Sequence, residues 1–178
     1  KGNDKMTKKY DVAILGWWHN SNYGSIMTYY ALNQAILDQG YSTLLVHEAL
    51  GYPARHKLPE DAPAIGFAKR QGFDYTKQED FTELDKLNEL ASTFVVGSDQ
   101  LWNPYISRIN DDLFLNFTSP ESKRIAYGTS IGNFSLEHFQ SEHFAPDFEQ
   151  VQQQNLSRFD WISMREDDGI AYMAKTFG

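Results

Sequence analysis

Ser98, Asp99 and Gln100, with Trp102 and Asn103 close behind, are the residues of this sequence best suited to chemistry. A carboxylate at position 99 can take a proton from a hydroxyl group or hold that hydroxyl in place. The hydroxyl and amides around it can orient further hydroxyls. Arg165 supplies the kind of cation that a carboxylate or phosphate ligand requires, and Glu166 follows it directly. Upstream, His19 is a candidate proton donor. Asn22, Tyr23 and Gly24 form a glycine-containing turn at the start of a helix, a ready site for an anion or a polar ligand. Trp17, Trp18 or Trp102 can stack on the flat face of a ligand. Each group also has a plain structural alternative: Ser98 and Asp99 as turn or cap residues, Trp102 as a core plug, Asn22 as a helix cap, Arg165 in a salt bridge to a neighbouring acid.

The elements that must position these residues read as a parallel sheet. Phe94, Val95 and Val96 are consecutive apolar residues, two of them β-branched, that end on Gly97 and run into polar side chains, the pattern of a buried strand reaching the surface. Tyr10 to Gly16, Tyr41 to His47, Arg124 to Gly132 and Phe159 to Arg165 have the same character. In open α/β sheets ligands bind beyond the carboxyl ends of the strands. Thr129, Ser130 and Gly132 therefore fall on the same edge as Ser98 and Asp99. Between the first two strands Ile26, Tyr29, Leu32, Ala35 and Ile36 recur at helical spacing over about 25–39, with Gly40 where a left-handed cap belongs. The strand–helix–strand crossover should be right-handed. Residues 48–77 read as irregular loop with one short helix, 78–91 as a helix, 111–117 as an edge hairpin or insertion, and 135–157 as surface helices. Ile170, Met173 and Ala174 mark a last helix.

Composition removes several classes of function. The 178 residues suit one domain, read as a disordered leader over 1–9 followed by a single Rossmann-like domain over 10–178. There are no cysteines, so disulfides, thiolate nucleophiles and zinc–thiolate sites are excluded together, which fits a cytoplasmic protein. A formal charge of -8 without a sizeable basic cluster argues against nucleic acid as a partner. No apolar run approaches the roughly 20 residues needed to cross a bilayer. His138 and His143 do not share a helical face, so no metal pair is expected there. The turn after the first strand is not G-x-G-x-x-G, and no acidic residue closes the second strand in the dinucleotide manner, so no nucleotide cofactor is expected.

Taken in order, Asn22-Tyr23-Gly24, Gly97-Ser98-Asp99-Gln100 with Trp102-Asn103, Ala126-Tyr127 with Ser130 and Gly132, and Arg165-Glu166 resemble the polysaccharide pyruvyl transferase family over about residues 11–169. Members of that family are longer, and this chain is similar to their amino-terminal, Rossmann-like half, with the carboxy-terminal domain absent. The resemblance implies a glycosyltransferase-B type fold, phosphoenolpyruvate as donor substrate with no separate cofactor, and a pair of sugar hydroxyls on a saccharide or glycan as acceptor. It also implies a place in bacterial surface or exopolysaccharide synthesis, with peripheral association with membrane-linked glycan. In that reading Asp99, Arg165 and His19 are catalytic, and Asn22, Tyr23, Gly24, Ser98, Gln100, Trp102, Asn103, Ser130 and Glu166 bind substrate. Two other classes stay open on the residues alone: a non-catalytic carbohydrate-binding module, and a glycosyltransferase using a nucleotide sugar.

Overall fold

The computed structural model describes residues 8–19, 22–46, 62–77, 83–103, 111–132 and 148–177. Their frame is a five-stranded, all-parallel sheet in the order β2-β1-β3-β4-β5, built from β1 (Val12–Leu15), β2 (Thr43–Val46), β3 (Thr93–Val96), β4 (Lys123–Thr129) and β5 (Trp161–Met164). Helices flank it: α1 (Tyr23–Asp38), α2 (Pro63–Gln71), α3 (Leu87–Leu90), α4 (Phe148–Leu156) and α5 (Asp167–Phe177). The arrangement is α/β and Rossmann-like, as the strand pattern predicts.

Alternation along the strands divides the core between the two faces of the sheet. Ala13, Leu15, Leu44, Val46, Phe94, Val96 and Ala126 point one way, into a cluster with Leu87, Leu101, Trp102, Leu113 and Leu156. Val12, Ile14, Leu45 and Val95 point the other way, against Ile26, Tyr29 and Leu32 of α1 and Ala64, Ile65 and Ala68 of α2. α1, in the β1–β2 connection, and α4, in the β4–β5 connection, pack on opposite faces, and those two connections run in opposite directions across the sheet. A right-handed crossover from β1 to β2 and one from β4 to β5 put their helices on opposite sides.

Two expectations, for residues 78–91 and 111–117, change in detail. Residues 78–91 do not fold throughout as a helix: the described part is a 3₁₀ turn at Leu84–Lys86 followed by the single turn of α3. Residues 111–117 are no hairpin. Asp111–Phe114 is a 3₁₀ turn, and Leu113, Phe114 and Leu115 are buried. Apolar runs of this length do not distinguish a strand from a buried turn. Within the stretch read as loop, α2 is the short helix, and Tyr75 adds a parallel bridge to Leu45. Of the leader, residues 1–7 lie outside the described residues, while Lys8 donates to the Asn88 carbonyl and Lys9 sits 5.0 Å from the centre of the Tyr10 ring. Gln39 ends α1, and Gly40 follows at a φ of 86°. His138 and His143 lie outside the described residues.

Candidate functional site

The carboxyl ends of β3, β4 and β5 and the first turn of α1 are joined by one chain of hydrogen bonds. Ser25 Oγ, on α1, donates to Asp99 Oδ2 at 2.9 Å. The Gln100 amide donates to Asp99 Oδ1 at 2.8 Å, so each carboxylate oxygen has a fixed donor. The Ser130 amide donates to the Asp99 carbonyl at 2.9 Å, and Ser130 Oγ donates to Glu166 Oε1 at 2.6 Å. Arg165 Nε meets the same Glu166 oxygen at 3.0 Å. Four segments far apart in sequence are thereby locked to one another along a single rim.

Local sequence explains how each segment reaches the rim. Asn22 caps α1, its side chain accepting from Gly24 N at 2.8 Å, which leaves Tyr23 exposed and sets Ser25 on the buried side of the first turn. Gly97 precedes Ser98 for steric reasons: at its φ of +136° a Cβ would overlap the Tyr127 carbonyl oxygen, so only glycine lets β3 close on β4 there. Ser98 Oγ then donates to the Gly128 carbonyl at 3.3 Å. Arg165 N donates to the Thr129 carbonyl at 3.0 Å and continues the ladder past β5, which brings its side chain to the rim.

The charged groups at the rim differ in how fully they are engaged. Arg165 and Glu166 are 46% and 35% exposed at their side chains, and among the described residues no partner holds the Arg165 Nη atoms. The pair is the salt bridge that the sequence offers as the alternative to a ligand, yet it uses only one face of the guanidinium. Glu166 Oε2 is buried without a hydrogen-bond partner and lies 3.7 Å from where a Gly169 Cβ would be, over the first turn of α5. Asp167 and Asp168 in that turn suit the helix dipole. Below Asp99 the Tyr29 hydroxyl is fully buried, and burial first, then the Asp99 charge, hold its pKa well above the usual phenol range.

The structure places several of the expected ligand residues in buried or capping positions. Trp102 is 6% exposed, stacks on Phe114 at 5.3 Å between ring centres, and donates its indole N–H to the Leu113 carbonyl at 3.0 Å. Its ring plugs the core and offers no face to a sugar. Trp18 is likewise buried, with its indole donating to the Val46 carbonyl at 2.8 Å. In both cases the indole N–H found a backbone carbonyl, which removes the cost of burying it. Asn103 and Ser130 are buried as well, so they act on the rim from beneath. Asn22 is engaged as a helix cap, and Gly24 packs against it. His19 sits with its ring edge-on to Trp18, 6.0 Å between ring centres. Ser25 and Tyr29 were absent from the sequence-based set. Their spacing on α1 carries only a helical signal, and the partner of Ser25 is 74 positions away.

A concavity adjoins the rim at Ser98. On the sheet face that carries α1, a groove of about 1190 Å³ runs from Ser98, Met27 and Tyr127 down to Asp11, Tyr41 and Lys123, with Val95 and Ile125 as its floor. Tyr127 and Trp161 stack there at 6.2 Å, each about half exposed. Among the described residues no group of three or more His, Asp or Glu side chains could hold a metal ion. Nor, among them, is any helix long and apolar enough to cross a membrane.

Fold and rim together define a Rossmann-like α/β protein with a polar cluster at the carboxyl edge of its sheet. Compared with known proteins, the chain matches no family model, no curated protein and no solved structure.

Proposed function

We propose that this chain is the amino-terminal part of a pyruvyl transferase, which moves the pyruvyl group of phosphoenolpyruvate onto two sugar hydroxyls as a ketal. The observation that carries the reading is the pairing at the rim of a clamped carboxylate, Asp99, with a guanidinium, Arg165, whose Nη atoms are unengaged among the described residues. The reaction needs both. In the overall balance phosphate leaves the enolpyruvyl C2, the two hydroxyl oxygens bond to that carbon, one hydroxyl proton ends on C3 to make a methyl group, and the other departs with phosphate. Asp99 accepts from an attacking hydroxyl, while Arg165 neutralises a carboxylate or phosphate of the donor. The carboxylate–guanidinium pair and the order of the motifs support this reading together; fold alone would suit many chemistries.

Incubation with phosphoenolpyruvate and a glycan bearing a suitable diol tests it. Release of phosphate together with a new ketal methyl signal by proton NMR is the expected result. Glycan binding without phosphate release favours a non-catalytic carbohydrate module. Turnover with a nucleotide sugar in place of phosphoenolpyruvate favours a glycosyltransferase.

A further inference from the structure

We propose that Asn103 is a positioning residue that makes the Gln100 side chain a pair of outward hydrogen-bond donors, aimed at a carboxylate or phosphoryl oxygen of a ligand held beside Asp99. The assignment rests on the reading of this rim as the donor-substrate site. Asn103 is only 7% exposed and acts through its neighbour. Its Nδ2 donates to Gln100 Oε1 at 2.8 Å, and its backbone amide donates to the Gln100 carbonyl at 3.1 Å, so the turn over 100–103 is closed by main chain and side chain together.

A glutamine amide has one accepting end and one donating end. Here the accepting end is engaged by a buried partner. The donating end, Nε2, has no hydrogen-bond partner among the described residues, and Gln100 is partly exposed. Gly132 closes the arrangement from above. At its φ of +66° a Cβ would overlap Asn103 Nδ2 and lie 2.8 Å from Gln100 Oε1, so the loop after β4 rests on the amide pair and resists its rotation. The main-chain N–H of the same Gln100 holds Asp99 Oδ1. One residue thus fixes the acceptor for a hydroxyl and supplies donors for an anionic oxygen immediately beside it. A carboxylated or phosphorylated donor meeting a hydroxyl acceptor has this complementarity.

Asn103→Asp separates this role from simple packing. It is nearly isosteric, but a carboxylate can only accept, so Gln100 must turn Nε2 inward and present Oε1 to the ligand. Dissociation constants for phosphoenolpyruvate, inorganic phosphate and pyruvate, each titrated separately into the full chain, are the first readout. Asn103→Asp should weaken phosphoenolpyruvate by about 10- to 100-fold and Asn103→Ala, which frees the amide, by less. Whichever of phosphate and pyruvate shares the loss identifies the oxygen that Gln100 meets. Gln100→Glu, at a more exposed position, should reproduce the loss even if Asn103→Asp folds poorly. Side-chain amide NMR of the wild-type chain gives the second readout, with the Asn103 amide protons donating toward Gln100. The proposal is overturned if Gln100 Nε2 donates to Asn103 Oδ1 in the wild type, if the variants bind all three anions as tightly as wild type, or if the wild type binds none. Anion binding that shows the expected losses, with no ketal formed by the full-length protein that contains this chain, would remove the pyruvyl-transfer reading and leave this assignment standing.

Discussion

The two edges of one sheet use arginine in opposite ways. At the amino edge Arg124, near the start of β4, is 6% exposed and engaged on every side: Nε donates to Thr118 Oγ1 at 2.5 Å, Nη2 to the Thr118 and Ser119 carbonyls at 3.1 and 3.0 Å, and Nη1 to the Arg158 carbonyl at 3.3 Å. Its own amide donates to Asp160 Oδ2 at 2.8 Å. Arg158 in turn donates to Asn116, which holds Asn155 at 2.9 Å. Burial first, then Arg158, lower the Arg124 pKa, against the attraction of Asp160. At the carboxyl edge Arg165 stands half exposed, with one side-chain contact, to Glu166, among the described residues. A guanidinium surrounded by carbonyls holds loops together; one with free donors is available to a ligand. The difference lies in the completeness of the hydrogen bonding, since both residues follow the same chemistry.

Substitutions that exchange these fates test the comparison. Arg124→Met should be the most damaging to stability, because it strands four acceptors that are buried or partly buried. A loss of about 3 kcal/mol is expected from urea unfolding, and a variant as stable as wild type would show that the amino-edge network is incidental. Arg165→Ala should shift the same unfolding midpoint by no more than about 0.5 kcal/mol, yet lower the proposed pyruvyl transfer by about 100-fold or more. Equal loss of stability in the two variants would erase the distinction. Asp99→Asn should lower kcat by about 100- to 10,000-fold with the fold retained, and Ser25→Ala, which removes one of its two donors, by about tenfold. Unchanged turnover in Asp99→Asn would take that carboxylate out of the mechanism.

The smallest effect belongs to Asp11, which sits just before β1. Its carboxylate accepts from Ser42 Oγ at 2.7 Å and from the Ser42 amide at 2.8 Å, and these bonds lower its pKa. A carboxyl depressed in the folded state contributes stability above its unfolded pKa, about 3.9, and loses that contribution as the pH falls through the lower folded value. Urea midpoints measured below about pH 4 should therefore drop slightly less steeply in Asp11→Asn than in wild type. Parallel curves would mean that the Ser42 contacts are without thermodynamic weight.

Much of this was legible from residue order. Strands β1, β2 and β3 are short, mostly apolar runs, and a glycine follows β1 and β3, so the sheet is readable from residue order. The placement of Ser98, Ser130 and Arg165 at strand ends follows from that alone. Roles of individual side chains were less legible. Trp102 comes two residues after Gln100 in sequence, but a turn of one residue decides whether a ring faces ligand or core, and its indole N–H found the Leu113 carbonyl. Leu113 to Leu115 look like a strand because apolar character marks burial and says little about backbone path. Nothing near Asp99 in sequence announces its donor on α1, because Ser25 lies 74 positions away.

What the sequence determined by itself is therefore the layered α/β frame and the edge on which polar residues gather, since periodicity and strand-ending glycines are local properties. The tertiary structure decided which of those residues are engaged and which are open: Ser25 on Asp99, Asn103 beneath Gln100, Ser130 on Glu166, Arg124 enclosed and Arg165 available. Such pairings join positions brought together only when the strands close into a sheet, and a hydrogen bond depends on that geometry within a few tenths of an ångström.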